Sequence, residues 1–350
     1  MEFKKIKRQK QGLIITVLIV ALAISIVIFS TIGSAKINAT DTLMIVLSKV
    51  PFIGKNIDIS NIPKSYQTII LNIRIPRVLI GIIVGAALSS VGAVFQGMFK
   101  NPMADPYVIG ISSGAALGAG ITIIFGLSWI GLGISAISIG AFVGAVATTF
   151  VVYWISRVKN KVPVTILLLS GIAVSQFLTA ILSFLMIMHT KDMTKIIYWT
   201  LGSFSGKGWD HLGAVFLPMI LSMALLTSFS KDLNIMLLGE ESAQNLGIDV
   251  EKAKIIILII CSFIIATAVS VSGIIGFVGL IIPHILRLIV GPDHRILIPS
   301  SMLAGGIFMV FADTLARTII SPTEIPVGII TAFFGGPFFI YLLRKSKKNI

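Results

Sequence analysis

Long apolar runs recur along this chain, and they restrict its fold more than any other feature. Residues 12–32 carry no charged side chain, and a helix of that length covers the roughly 30 Å of hydrocarbon in a bilayer. Comparable runs follow at about 76–98, 107–127, 131–155, 164–188, 212–229, 255–271, 273–290, 297–315 and 326–343. Lipid offers the backbone no hydrogen-bond partner, so each run has to satisfy its own N–H and C=O groups as a helix. A mean hydropathy of +1.01, with 56% hydrophobic and 12% charged residues, is far from a soluble domain. The chain is therefore expected to be an all-α integral membrane protein, a single domain of residues 1–350 with ten transmembrane helices.

Charge sets the expected orientation. Lys4, Lys5, Lys7, Arg8 and Lys10 precede the first run; a cleaved signal peptide begins the same way but has a shorter apolar core. Residues 1–12 read as a cytoplasmic tail, and ten crossings bring the C-terminus back to the same side. In that topology 18 of the 28 Lys and Arg fall in the short cytoplasmic segments and 10 in the much longer outer ones. This is the bias of a multi-pass protein in the cell membrane. Residues 33–72 form the longest outer loop, within which Thr40 to Lys49 reads as a short surface helix. The net charge of +14 is thus topological, and no basic face interleaved with aromatics offers itself to nucleic acid. Cys261 stands alone inside an apolar run, which excludes a disulfide framework and a cysteine-based metal site.

One polar island, residues 230–254, interrupts the apolar second half on the cytoplasmic side. A short helix is expected there from Gly239 to Gly247, with Glu240 and Glu241 where the helix dipole is positive and Gly247 able to adopt the left-handed stop. Its remaining residues mix polar Ser242, Gln244 and Asn245 with apolar Ala243 and Leu246. From pattern alone it is either a plain connecting loop or a surface that another protein grips.

Searches for chemistry return little. His189, His211, His284 and His294 are scattered without ligand spacing. GSFSGKG, Gly202 to Gly208, has one residue too few between its first glycines for a phosphate loop and no hydroxyl after its lysine. Any ATP must be hydrolysed by a partner. The runs hold almost no ionisable groups of the kind an ion-coupled secondary transporter uses at mid-membrane. Asp313 is the exception, spaced for an intrahelical ion pair with Arg317. Glycines at Gly81 and Gly85, Gly114 and Gly118, Gly140 and Gly144, and Gly273, Gly276 and Gly279 are expected to let helix backbones approach closely.

Several motifs, in order, carry a family resemblance. They are Arg74-Ile75-Pro76-Arg77; Gln96 followed by Asn101-Pro102-Met103-Ala104-Asp105-Pro106; Gly110 to Ala115; Trp199 to Ser203; Gly276 to Leu280 running into Pro283 to Arg287; Asp293-His294-Arg295; and Glu324 to Gly328. From about residue 70 to the C-terminus the chain resembles the FecCD-type permeases of ABC importers for ferric siderophores, haem and cobalamin. Met103 stands where the family usually has leucine.

The resemblance implies a type II importer bundle with both termini inside, paired with a second permease copy or paralogue. It also implies two ATPase subunits that use ATP and magnesium, and an extracytoplasmic substrate-binding protein. The chain itself would bind no cofactor and be no enzyme. Gly239 to Gly247 would be the helix coupled to the ATPase. Arg74, Arg77 and Arg317 would meet the binding protein, with anchoring of helix ends to lipid headgroups as the lesser alternative. Asn101 and Met103 with Val164 and Thr165 would form the inner gate of the pathway. A ferric siderophore is the expected cargo. Haem or cobalamin, an ion-coupled carrier and a ligand-gated channel are the alternatives.

Overall fold

The computed structural model describes residues 2–347 except 34, 36, 50–53, 128–129, 132–133 and 160, so part of the expected loop 33–72 lies outside the described residues. The helices are α1 (Glu2–Thr31), α2 (Ala39–Ser48), α3 (Lys64–Thr68), α4 (Ile75–Met98), α5 (Ile111–Ile124), α6 (Ala136–Ser156), α7 (Val164–Met188) and α8 (Thr190–Thr200). They continue with α9 (Trp209–Ser228), α10 (Ser230–Met236), α11 (Glu240–Asn245), α12 (Val250–Ser272), α13 (Val278–Val290), α14 (His294–Thr318) and α15 (Val327–Lys347). Ile130–Gly131 pairs antiparallel with Ile134–Ser135 between α5 and α6. The surface helix expected at Thr40 to Lys49 forms as α2, with Thr42 and Ile45 buried.

Among the described residues, seven helical stretches are long and apolar enough to cross a membrane: 10–31, 64–98, 136–156, 164–188, 209–228, 250–272 and 294–318. Of the other three expected runs, two form the shorter apolar helices α5 and α13, and the third forms α15, apolar over 327–342 of its described residues. Each shortening has a local cause. The run expected from 107 starts late, because Asp105 Oδ1 accepts the N–H of Tyr107 at 2.8 Å and Gly110 turns left-handed at φ +81°. The run expected over 273–290 is helical only from Val278, since Gly273 (φ +68°) and Phe277 (φ +69°) both leave the right-handed region. For a bulky residue that geometry is unusual. The Phe277 ring occupies the space that a side chain at Gly335 would need.

The second span departs from expectation in the other direction. It begins at Lys64, inside the expected outer loop, and passes through a π-helical segment, Ile69–Arg74, into α4. Pro76 has no N–H, and in a regular helix its ring would press on the carbonyl four residues back. The wider π turn directly before it carries the helix past that obstacle.

Small residues account for the packing. Helix α4 is the centre of the bundle, buried on nearly every side. A methyl at Gly85 would strike the carbonyl of Gly305 on α14, and one at Gly92 the carbonyl of Gly279 on α13. Gly114 and Gly118 of α5 meet Gly144 and Gly140 of α6 in the same way. Lipid tails are as apolar as the side chains, so such close approach, rather than hydrophobic drive, joins the helices. Gly81 and Gly276 lack this role: one makes ordinary contacts and the other faces open space.

Hydrogen bonds sort the helix ends into two groups. At one end the amide of Val162 donates to Glu251, Arg287 to Gln96, and Asn234 to Asp293. At the other, Arg74 donates to carbonyls at the end of α1, the Trp209 indole to Leu71, and the Ser203 amide to Ser272. The first group includes α11 and is called inner below; the second is called outer.

Candidate functional site

At the inner end the polar island folds into α10 and α11. Gly239 (φ +122°) precedes α11 and Gly247 (φ +86°) follows it, so both turns use backbone that other residues adopt only with strain. Ala243 is buried, whereas Glu240, Glu241, Ser242, Gln244, Asn245 and Leu246 are exposed. Leu238 and Leu246 present large apolar side chains beside this short helix.

A single lysine attaches α11 to the spans. Lys254, only 4% exposed, reaches from α12 to Glu240 at 2.6 Å and to Glu251 at 3.1 Å. The second oxygen of Glu251 accepts the amide N–H of Val162 at 3.0 Å, two residues before α7 begins. Helix α11 is thus linked by three consecutive hydrogen bonds to the segment that leads into Val164 and Thr165. A second link runs through α10. The Asn234 amide donates to Asp293 at 2.7 Å, and its oxygen accepts the backbone N–H of His294 at 2.9 Å. Arg295 bonds the same carboxylate and holds Asp293 down to about 2, with Asn234 acting in the same direction.

The residues expected at the gate lie at this inner end. Asn101 and Met103 sit in the turn after α4, where Asn101 Oδ1 accepts the Met103 N–H at 2.9 Å. Val164 and Thr165 begin α7 behind Pro163. Among the described residues no hydrogen bond joins the two pairs.

At the outer end the structure brings Arg74, Arg77 and Arg317 together, but beneath the surface. Arg74 donates to the carbonyls of Ser30, Thr31 and Ala35, and Arg317 to that of Phe29. Two cations therefore satisfy the orphan carbonyls at the negative end of α1. Arg77 makes a fork to Asp313 at 2.8 and 2.9 Å and reaches Glu324 at 2.9 Å. The expected ion pair within α14 is present, with Arg317 3.6 Å from Asp313, but the closer partner of Asp313 is Arg77. All three guanidinium groups are engaged inside the chain rather than displayed for a docking protein.

Beside this cluster lies a cavity of about 390 Å³ whose walls include Trp199, Ser203, Ser205, Lys207, Ser272 and Glu324. It draws together two motif segments and the turn that follows α12. The Ser203 amide donates to the Ser272 carbonyl at 2.7 Å, and Gly328 packs against the carbonyls of Leu201 and Ile274.

Sequence reasoning missed Lys254, Glu251, Asn234 and the pairing of Glu324 with Arg77. A signal existed for the first two, an acid and a lysine three apart at the start of an apolar helix. Nothing in sequence separation points to Asn234 with Asp293, or to Arg77 with Glu324.

Comparison with known proteins fits this geometry. The model of the FecCD transport family matches residues 17–345. The cobalamin import system permease protein BtuC of Halobacterium salinarum is 45% identical over 286 residues, covering 82% of this chain and 76% of that protein. The Fe(3+)-citrate import system permease protein YfmD of Bacillus subtilis is 35% identical over 328 residues, covering 93% and 94%. A solved metal-chelate type ABC transporter in an inward-facing conformation superposes with a TM-score of 0.81 at 31% identity, covering 95% of this chain and 99% of that one.

Proposed function

The chain belongs to the FecCD transport family, and on that premise we propose that it passes a metal chelate from an extracytoplasmic binding protein into the cell, driven by separate ATPase subunits. The link from α11 through Lys254 and Glu251 to the amide of Val162 carries this reading. An importer needs a handle on the ATPase side and a connection from that handle to the substrate path, and this is such a connection. Exposed Leu238 and Leu246 suit a cleft in a soluble partner, while the fixed turns at Gly239 and Gly247 let α11 move as one body. Closure of the ATPase pair on ATP would shift α11, and Lys254 would transmit the shift to the head of α7.

The proposed topology has ten crossings with both ends inside. The short helices α5 and α13, together with α15, complete it, since irregular backbone at membrane depth is tolerated where protein surrounds it. A second permease copy would complete the path, with Asn101, Met103, Val164 and Thr165 at its inner constriction. Because Arg74, Arg77 and Arg317 are engaged internally, their proposed part in docking is to hold the outer rim in shape. The named relatives carry cobalamin and ferric citrate, and a ferric chelate of the siderophore kind is the proposed cargo.

Reconstitution with candidate ATPase subunits tests the reading. We expect a stable complex whose ATP hydrolysis rises with loaded binding protein. Glu240→Ala combined with Gly247→Pro should abolish uptake without unfolding the permease, because proline cannot adopt the positive φ at that turn. Uptake driven by an ion gradient without ATP would contradict it.

A further inference from the structure

The outer cavity carries a cation that nothing assigned so far uses. Lys207 lines it half-buried, and among the described residues its ammonium has no carboxylate or hydrogen-bond partner. Glu324 is on the same wall, but its two oxygens are both taken by Arg77, at 2.9 and 3.0 Å. The remaining walls supply the hydroxyls of Ser203 and Ser205 and the ring of Trp199, whereas the Ser272 hydroxyl is spent on the carbonyls of Ala268 and Gly273. Burial pushes the Lys207 pKa down, which is the mark of an ammonium short of partners. A cation held partly out of water gains from an opposite charge beside it, so an anion is the component that this cavity suits.

We propose that this cavity is an entry site for a polycarboxylate metal chelate, with Lys207 selecting for anionic cargo and the Ser203 hydroxyl hydrogen-bonding its oxygens. The volume of about 390 Å³ falls within the usual range for a small-molecule site. Its position suits first contact: α12 runs from Val250 beside α11 to Ser272 at the cavity, about 34 Å at helical rise. The site therefore lies across the bundle from the proposed ATPase surface. That it acts on transported cargo rests on the importer reading.

The test uses the purified permease in lipid nanodiscs without ATPase, so its failure is separable from failure of the importer reading. Cys261 is fully buried, which leaves Ser205→Cys as the accessible reporter thiol. Its modification by anionic methanethiosulfonate ethylsulfonate is compared with that by the cationic ethyltrimethylammonium analogue, each normalised to free cysteine. We expect the anionic reagent to be favoured, Lys207→Gln to cut that preference about five-fold, and Lys207→Arg to preserve it. Ferric citrate should slow the modification when residue 207 is Lys or Arg, and have no effect in Lys207→Gln. An unchanged reagent preference in Lys207→Gln, or ferric citrate acting equally or not at all in every variant, would overturn the proposal.

Discussion

Both ends of the bundle bury basic side chains against carboxylates, yet they are built differently. The outer end uses three arginines, each with several partners: Arg77 grips two carboxylates, Arg74 three carbonyls, and Arg317 a carbonyl, a hydroxyl and Asp313. The inner end uses one lysine, and one of its two partners, Glu240, is 52% exposed. A guanidinium offers a planar fork that fixes orientation, whereas an ammonium is a point charge on a flexible stem. The outer cluster therefore locks α1, α4 and α14 in one arrangement. The inner contact ties α11 to α12 and α7 while leaving it free to pivot.

The largest effect expected from this contrast is at Arg77. Arg77→Met leaves Asp313 buried with only the longer contact to Arg317, a loss of about 3–5 kcal/mol as for other broken buried pairs. Thermal unfolding in detergent should show it, and Arg77→Met with Asp313→Leu should recover much of the loss. Equal melting of Arg77→Met and the unchanged protein would remove the idea of a locked outer end.

Lys254→Met should invert that pattern. Its carboxylate partners can turn toward water, so stability should fall by only about 1 kcal/mol or less. Uptake should fall at least about ten-fold while ATP hydrolysis in the complex persists, because the stroke of α11 no longer reaches α7. Loss of hydrolysis and uptake together would indicate failed assembly rather than failed transmission.

The smallest effect concerns pH. Arg295 and Asn234 keep the Asp293 carboxyl near 2, below its ordinary value. A depressed acid lends stability that is fully present above about 4 and is lost as pH falls through about 2. The melting difference between the protein and Asp293→Asn should therefore be constant from pH 8 to 5 and shrink below about 4. A difference that vanished between pH 7 and 6 would mean that another group controls the inner end.

How far the sequence revealed these features depends on the range of the physics involved. Helix α11, expected from Gly239 to Gly247 and found over Glu240–Asn245, was legible to within one turn, because paired glycines and leading glutamates act over that range. The family was legible in motifs spread from Arg74 to Gly328. The lengths of the second, third and eighth apolar runs were not, because the π turn before Pro76, the Asp105 turn and the left-handed Phe277 are backbone choices imposed by neighbouring helices. The surroundings of the three outer arginines were also hidden. Arg77 and Asp313 lie 236 positions apart, and a charge at a helix end reads the same whether it faces a partner or the interior.

The central claim, that α11 is a cytosolic handle held by an ATPase, is tested most directly at Gln244, exposed on that helix. A membrane-impermeant maleimide should label Gln244→Cys in inside-out vesicles, spare it in intact cells, and label it more slowly when the ATPase subunits are bound. Labelling in intact cells, or a rate indifferent to bound ATPase, would contradict the account.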